Sequence, residues 1–321
     1  MRQPLKNKLV LGSRGSLLAL WQTNHVKAAL EKHFPEINLE VKIIKTTGDK
    51  LLDVALAKIG DKGLFTKQIE TALLSKEIDL AVHSLKDLQT IQPEGLCIGA
   101  VSKREMPNDV LISKKYSSID ELPINAKVAT GSLRRKSQLL HYRRDLQIFE
   151  IRGNVPTRLQ KFAESDLDAM ILAFAGVHRL ELDEHIAEII PFNIMLPAVG
   201  QGAMAVEIRE DDGDLKKFLK VLNDEKTHIC ITAERAFLRT LEGGCQVPIG
   251  ANAVIENDII RLEGMVGNLN GSVNLREKIS GEKSEAANLG IKLAQSLIEK
   301  GANEILERTR EKVENTEEEV I

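Results

Sequence analysis

Sequence patterning predicts an α/β protein that ends in a smaller α+β region, and three observations carry that prediction. From residue 8 to about residue 222, short aliphatic and β-branched runs alternate with helical patterns, as in sheets joined by crossover helices. After residue 222, strand patterns follow one another directly before a helix, which suggests a small antiparallel sheet. The chain has 321 residues, 43% hydrophobic and 28% charged, enough for two or three domains with ordinary cores.

The α/β part offers strands at residues 9–11, 39–45, 78–83, 96–100, 127–130, 147–150, 169–172 and 203–208. The first clear helix spans residues 16–33, with Leu17, Leu20, Trp21, Ala28 and Leu30 on its apolar side and Trp21 read as core. Beyond residue 222 come a helix over 227–240, strands at 251–255, 259–266 and 273–279, and a helix over 284–299. Asn257-Asp258 between two of these strands signals a hairpin turn. The residues past Arg308 are mostly charged and read as a frayed, solvated end. Proline-marked connections at 106–108 and 196–198 bracket a domain inserted into another.

Composition excludes several classes of function. A net charge of −3 gives no global attraction to nucleic acid, and 3% aromatic residues leave few rings for stacking on bases. Arg2, Lys6 and Lys8 precede an apolar stretch, but the polar residues 13–16 interrupt it before a signal-peptide core forms. No apolar run approaches bilayer length, so the expectation is a cytoplasmic protein with neither membrane nor nucleic-acid partners. Three cysteines in that setting argue for thiols over disulfides; Cys97 and Cys230 lie in apolar runs and read as structural. No dinucleotide or P-loop glycine pattern is present.

Three features can carry chemistry. Cys245 follows Gly243-Gly244 between a helix and a strand, which reads either as a helix-ending turn or as a thiol open to attachment of a sizeable group. Asp87 follows the buried run 78–85, beyond the carboxyl end of a strand, where open α/β sheets bind ligands. It reads either as a proton donor and acceptor or as a cap for the next segment. His83 in the same run reads as structural, since no second metal-ligating residue follows at ligand spacing. The third feature is a set of arginines where strands give way to helices: Arg14, Arg134 with Arg135, and Arg152 with Arg158. Helix N-termini already favour anions, and guanidinium forks match carboxylate or phosphate, so the set describes a polyanion crevice. The polar, glycine-bearing stretch 46–63, which carries Lys62, suits either a mobile lid or an idle loop.

Eight motifs then fall in order: GSRGSLLALWQ at 12–22, TTGD at 46–49, KGLFTK at 62–67, DLAVHSLKD at 79–87, ATGSLRRKSQL at 129–139, IRGNVPTRL at 151–159, LPAVGQGA at 196–203 and LEGGCQVPIG at 241–250. Together they closely resemble the porphobilinogen deaminases, also called hydroxymethylbilane synthases, over residues 9–307. The resemblance implies two periplasmic-binding-protein-like α/β lobes with a third small α+β domain. Residues 1–104 with 199–222 form the first lobe, 105–198 the second, and 223–321 the third domain. It implies a dipyrromethane cofactor joined to Cys245 through a thioether, with Lys86, Ser132, Arg134 and Arg135 around it. Asp87 is the implied catalytic carboxylate, with no metal involved. Arg14, Ser16, Arg152, Arg158 and Arg179 are implied to take the acetate and propionate groups of the substrate porphobilinogen, with Lys62 in a lid over the site. The implied activity joins four porphobilinogen molecules head to tail, losing ammonia each time, and releases hydroxymethylbilane from a monomeric enzyme. Gln89 departs from the family's usual proline and leaves the loop geometry there open. Two other readings remain: a non-catalytic two-lobed anion receptor, which gives Cys245 and Asp87 no task, and a thiol-nucleophile enzyme pairing Cys245 with His228.

Overall fold

In the computed structural model, residues 7–50, 65–242 and 247–318 are described. The chain begins with β1 (Lys8–Ser13), α1 (Leu17–His33), β2 (Asn38–Ile43), α2 (Thr47–Lys50), α3 (Lys67–Leu74), β3 (Leu80–Ser84) and β4 (Leu96–Val101). It continues through β5 (Asp109–Ser113), β6 (Lys127–Ala129), α4 (Leu133–Tyr142), β7 (Gln147–Phe149), α5 (Val155–Ala163), β8 (Ala169–Ala173), α6 (Phe174–His178) and β9 (Ile186–Ile189). Then come β10 (Met204–Arg209), α7 (Gly213–Phe218), α8 (Glu225–Thr240), β11 (Ile249–Glu256), β12 (Ile259–Gly267), β13 (Asn274–Glu282), α9 (Ala286–Glu299) and α10 (Ala302–Glu318).

The described residues divide into two compact units. One takes the chain up to Glu105 and again over Gly202–His228; the other takes Met106–Gln201 and the chain from Ile229 onward. The first unit holds a sheet in the order β2-β1-β3-β10-β4, in which β1, β2 and β3 are parallel and β10 runs against both β3 and β4. The second holds a sheet in the order β7-β6-β8-β5-β9, with β6, β7 and β8 parallel and β5 antiparallel to β8 and β9. In both sheets the three parallel strands lie second, first, third in chain order, followed by a strand reversed against them and then by one antiparallel to that strand. The second unit also contains the antiparallel sheet β11-β12-β13. The fold class is therefore α/β with a smaller α+β portion, as the patterning predicts.

Strand periodicity explains the layering. Leu9 and Leu11 face α1 in a core with Val26, Leu30, Leu80 and Val206, while Val10 and Ala81 face Ile69 and Leu73 of α3 on the other side. Sheet two is likewise covered on both faces, by Leu139 of α4 on one and Phe162 of α5 on the other. The third core gathers Phe237 of α8, Ile260 and Leu262 of β12, Leu293 of α9 and Leu306 of α10. Gly264 has no side chain because the Phe237 ring lies where one would go. The Asn257-Asp258 turn is a hairpin with both residues at positive φ, 49° and 64°, which matches the right-handed twist of β11 and β12.

Three expectations need correction. The buried face of α1 is Ala19, Gln22, Thr23, Val26 and Leu30, whereas Leu17 is 60% exposed and Trp21 is half-buried against the ring of His25. Gln22 and Thr23 made that face look polar because their partners lie on strands distant in sequence. The residues past Arg308 are helical: α10 continues to Glu318, held by buried Leu306 and Thr309 and by good helix formers. Finally, β5 and β9 were not expected. β5 starts immediately after the 106–108 connection, and β9 is a four-residue edge strand too short to show a period.

Candidate active site

The carboxyl ends of β1 and β3 lie side by side, since the strands are parallel with Gly12 opposite Ala81. Two buried polar residues of α1 fasten them: Thr23 Oγ1 donates to Ser13 Oγ at 2.8 Å, and Gln22 Nε2 donates to Ser84 Oγ at 2.9 Å. Beyond β1, the Arg14 guanidinium carbon lies 4.1 Å from the centre of the Phe65 ring. Ser16 caps α1 by accepting from Ala19 N at 3.3 Å. Beyond β3 comes one 3₁₀ turn, Leu85–Asp87. Leu85 is fully buried and its N–H donates to Ala203 O at 3.0 Å; Lys86 is half-buried and Asp87 exposed. Arg14, Ser16, Lys86 and Asp87 thus gather at one edge of one sheet, the edge where open sheets take ligands.

The other face of β3 carries a buried polar group. His83 Nε2 lies 3.2 Å from Glu207 Oε2 without hydrogen-bond alignment, and both side chains are nearly or fully inaccessible. Glu70 of α3 is buried nearby; burial pushes its carboxyl above the ordinary range, and Glu207 adds to that shift.

In the second unit, the remaining predicted residues follow the three parallel strands. Ser132 caps α4 after β6, accepting from Arg135 N at 3.5 Å. Arg152 and Arg158 flank the start of α5 after β7, and Arg152 Nη2 pairs with Glu150 Oε2 at 2.7 Å. Asn154 caps that helix, accepting from Thr157 N at 2.9 Å. Arg179 ends α6 after β8 and is buried. Ser132, Arg134, Arg135, Arg152, Arg158 and Arg179 therefore collect at the carboxyl edge of the β7-β6-β8 strands.

Arg134 and Arg135 share a buried acidic partner, Asp109, which is 0% exposed. Asp109 Oδ2 accepts from Arg134 Nη1 at 2.7 Å; Oδ1 accepts from Arg135 Nε at 3.1 Å and Nη2 at 2.8 Å. Gln201 Nε2 donates to the same Oδ1 at 2.9 Å and to Pro107 O at 2.7 Å. Burial alone would raise the Asp109 carboxyl, yet the two guanidinium groups hold it well below the usual range. Two cations against one anion leave the cluster one negative charge short, a donor set that fits a ligand carboxylate.

The residues 9–217 match the family model described as porphobilinogen deaminase, dipyromethane cofactor binding domain, and residues 228–299 match the porphobilinogen deaminase C-terminal domain. The porphobilinogen deaminase of Chloroherpeton thalassium is 54% identical over 94% of this chain and 98% of its own. That of Desulforamulus reducens is 52% identical over 95% and 99%.

The chain belongs to the porphobilinogen deaminase family.

Among solved structures, the methionine-binding protein MetQ covers 69% of this chain and 92% of its own, at 13% identity and a TM-score of 0.43. The periplasmic aliphatic sulphonate binding protein SsuA from Escherichia coli covers 74% and 71%, at 15% identity and a TM-score of 0.38. These likenesses are loose, and the fold is read from the strand orders themselves. Two residues expected from the porphobilinogen deaminase motifs, Lys62 and Cys245, lie outside the described residues. Asp109 and Gln201 escaped the sequence reading. The available signal was an acid opening the apolar run 109–112, directly after Pro107. His228, the base in the thiol-nucleophile reading, has its Nδ1 2.9 Å from Asn223 Oδ1, and burial lowers its pKa.

Proposed function

We propose that this chain is a transferase of tetrapyrrole biosynthesis that condenses four porphobilinogen molecules head to tail, releasing ammonia at each addition and finally hydroxymethylbilane by hydrolysis. One observation carries the reading: the family match runs nearly the length of the chain, and the aspartate of its DLAVHSLKD motif, Asp87, stands exposed on the turn at the carboxyl edge of the first sheet. Held by a thioether to Cys245, the dipyrromethane supplies the pyrrole carbon to which incoming rings are joined.

The chain's own residues do the rest. Asp87 in its acid form donates a proton to the aminomethyl nitrogen of porphobilinogen as the C–N bond breaks, and ammonia leaves with the bonding pair. The carboxylate left behind stabilises the methylene-pyrrolenine cation of the substrate. When the new C–C bond forms, the same carboxylate takes up the released pyrrole proton, so each addition returns Asp87 to its starting state. Arg14, Ser16, Arg152, Arg158 and Arg179 take the acetate and propionate groups of the substrate, Lys62 belongs to the lid, and Lys86, Ser132, Arg134 and Arg135 surround the cofactor. Three domains serve this division: 1–104 with 199–222 carrying Asp87, 105–198 carrying most arginines, and 223–321 carrying Cys245. The protein acts in the cytoplasm as a monomer.

Intact-protein mass spectrometry tests the core of the proposal. The purified chain is expected to carry a stable excess equal to one dipyrromethane, and Cys245→Ser to lack it. A fully active chain without any mass excess overturns the covalent primer.

A further inference from the structure

Residues 196–201, most of the LPAVGQGA motif, take no part in the chemistry, yet they are bonded to four separate elements of the second unit. Leu196 N donates to Gln138 Oε1 of α4 at 2.7 Å, and Leu196 O accepts from Gln138 Nε2 at 3.0 Å. Pro197 O accepts from Ala251 N of β11 at 3.0 Å. Gly200 N donates to Glu234 Oε2 of α8 at 2.9 Å, and the other oxygen of that carboxylate accepts from Ala253 N of β11 at 2.8 Å. Gln201 Nε2 donates to Asp109 Oδ1 of β5 at 2.9 Å. Gln138, Leu196, Gln201 and Glu234 are all buried, so water does not compete for these bonds.

Two of those elements, α8 and β11, are the stems between which Cys245 falls in the sequence. The second sheet and the small sheet also meet where His141 Nδ1 lies 2.9 Å from Gly271 O and where Arg276 Nη2 donates to Phe192 O at 2.7 Å. Both of those contacts are on the β12–β13 side, away from the stems. At Gly250, on β11, the segment comes closest: a Cβ there would lie 3.0 Å from Leu196 O, 3.1 Å from Leu196 Cβ and 3.2 Å from Pro197 O. Carbonyl groups fixed in a backbone cannot swing aside as a side-chain tip does, so the missing side chain at 250 sets how near β11 comes to the segment.

We infer that residues 196–201 are a splint that registers both stems of the Cys245 loop against α4 and β5 of the second sheet, with Gly250 and Glu234 as positioning residues. A tether raises the rate of a reaction only when it delivers what it holds to a reproducible place, and a small displacement of its root is passed on to the reacting atoms. The upstream stem is set through Gly200 and Glu234, the downstream stem through Pro197 and Ala251, and one short segment sets both. The inference rests on the proposal that Cys245 carries the primer, and it names what fixes the root of that tether.

Two alanine variants of the full-length chain test it, each adding one methyl group to the small sheet. Gly250→Ala presses on Leu196 and Pro197 from 3.0 Å, whereas Gly281→Ala on β13 presses on Leu289 of α9 from 2.9 Å, away from both stems. The collisions begin at nearly the same distance, so a merely structural role moves thermal midpoint and turnover together in both variants. The splint separates them. Gly250→Ala should lose about three- to tenfold in kcat per dipyrromethane-bearing chain with KM within about twofold, while Gly281→Ala keeps kcat within about twofold. A folded Gly250→Ala that cannot acquire the primer, beside a loaded Gly281→Ala, supports the inference equally. A Gly250→Ala kcat within about twofold of wild type, or an equal loss in Gly281→Ala, overturns the splint and leaves the covalent primer standing. A wild-type chain without dipyrromethane mass overturns the primer, and the splint with it. Should Gly250→Ala not fold, Gln138→Met, which removes both bonds to Leu196, is read against the same limits.

Discussion

The guanidinium of Arg14 lies over the ring of Phe65, 4.1 Å from its centre, and the same ring occupies the space that a side chain at Gly48 would need. Phe65 thereby links the loop after β1 to the turn that opens α2. A cation over an aromatic face is worth about 0.5–2 kcal/mol, and here it also restricts where the guanidinium points. Phe65→Leu keeps apolar bulk but removes the ring. With Arg14 placed on a substrate carboxylate, KM for porphobilinogen should rise about two- to fivefold with little change in kcat. Steady-state kinetics checks this, and an unchanged KM would show that Arg14 holds its place without the ring.

Asp87→Asn should separate binding from chemistry. The amide keeps the size of the side chain but can neither deliver nor recover the proton, so kcat should fall by about 10²–10⁴ with KM close to wild type. Single-turnover measurement of ammonia release is the direct check. Near-normal turnover would remove Asp87 from the reaction.

Glu70 predicts a pH effect of definite sign. Its folded-state carboxyl titrates above the ordinary value because it is buried, beside Glu207. The neutral form is the one the fold accepts, so the stability is present below the unfolded-state value and is lost as pH rises through the raised one. Glu70→Gln makes the group permanently neutral. Denaturation midpoints of variant and wild type should therefore lie close together near pH 4, with the variant gaining relative to wild type toward pH 8. A constant difference across that range would contradict the assignment.

Glu234 of α8 is fully buried and accepts two backbone N–H groups, from Gly200 at 2.9 Å and from Ala253 at 2.8 Å. Glu234→Ala leaves both donors without an acceptor, at about 1–3 kcal/mol each. A urea titration should show a loss of about 2–5 kcal/mol, most of it persisting in Glu234→Gln, whose amide can accept from only one of the two.

At Gly202, φ is +89°, and a Cβ would run into the carbonyl of Glu105. Backbone strain and the collision act together, so Gly202→Ala should cost about 2–3 kcal/mol by the same titration, well beyond an ordinary surface substitution.

How much of this was legible in the sequence depended on whether the information was local. Strands β1, β3, β6, β8 and β10 announce themselves as aliphatic runs, and Arg14, Asp87, Arg134 and Arg152 stand at strand ends that a linear reading can find. The face of α1 was misread because the partners of Gln22 and Thr23, Ser84 and Ser13, become visible only once the sheet is assembled. Asp109 was missed for the same reason: it sits 25 residues before Arg134 and 92 before Gln201, and no periodicity links positions so far apart. Nor does the sequence show that Arg134 reaches Leu196 O while Arg135 reaches Ile171 O.

The shared strand order of the two large sheets hides an opposite order of synthesis. In the second sheet, the reversed strand β5 is made first, before the strands it will separate. In the first sheet, the reversed strand is β10, which leaves the ribosome about a hundred residues after its neighbours β3 and β4. Until β10 arrives, β4 has no neighbour in its sheet and β3 has a bare edge, the kind of edge that invites pairing with the wrong chain. The half that carries Asp87 therefore cannot close until the arginine-bearing sheet has been translated, so a nascent chain stalled near residue 200 would be the form most in need of a chaperone.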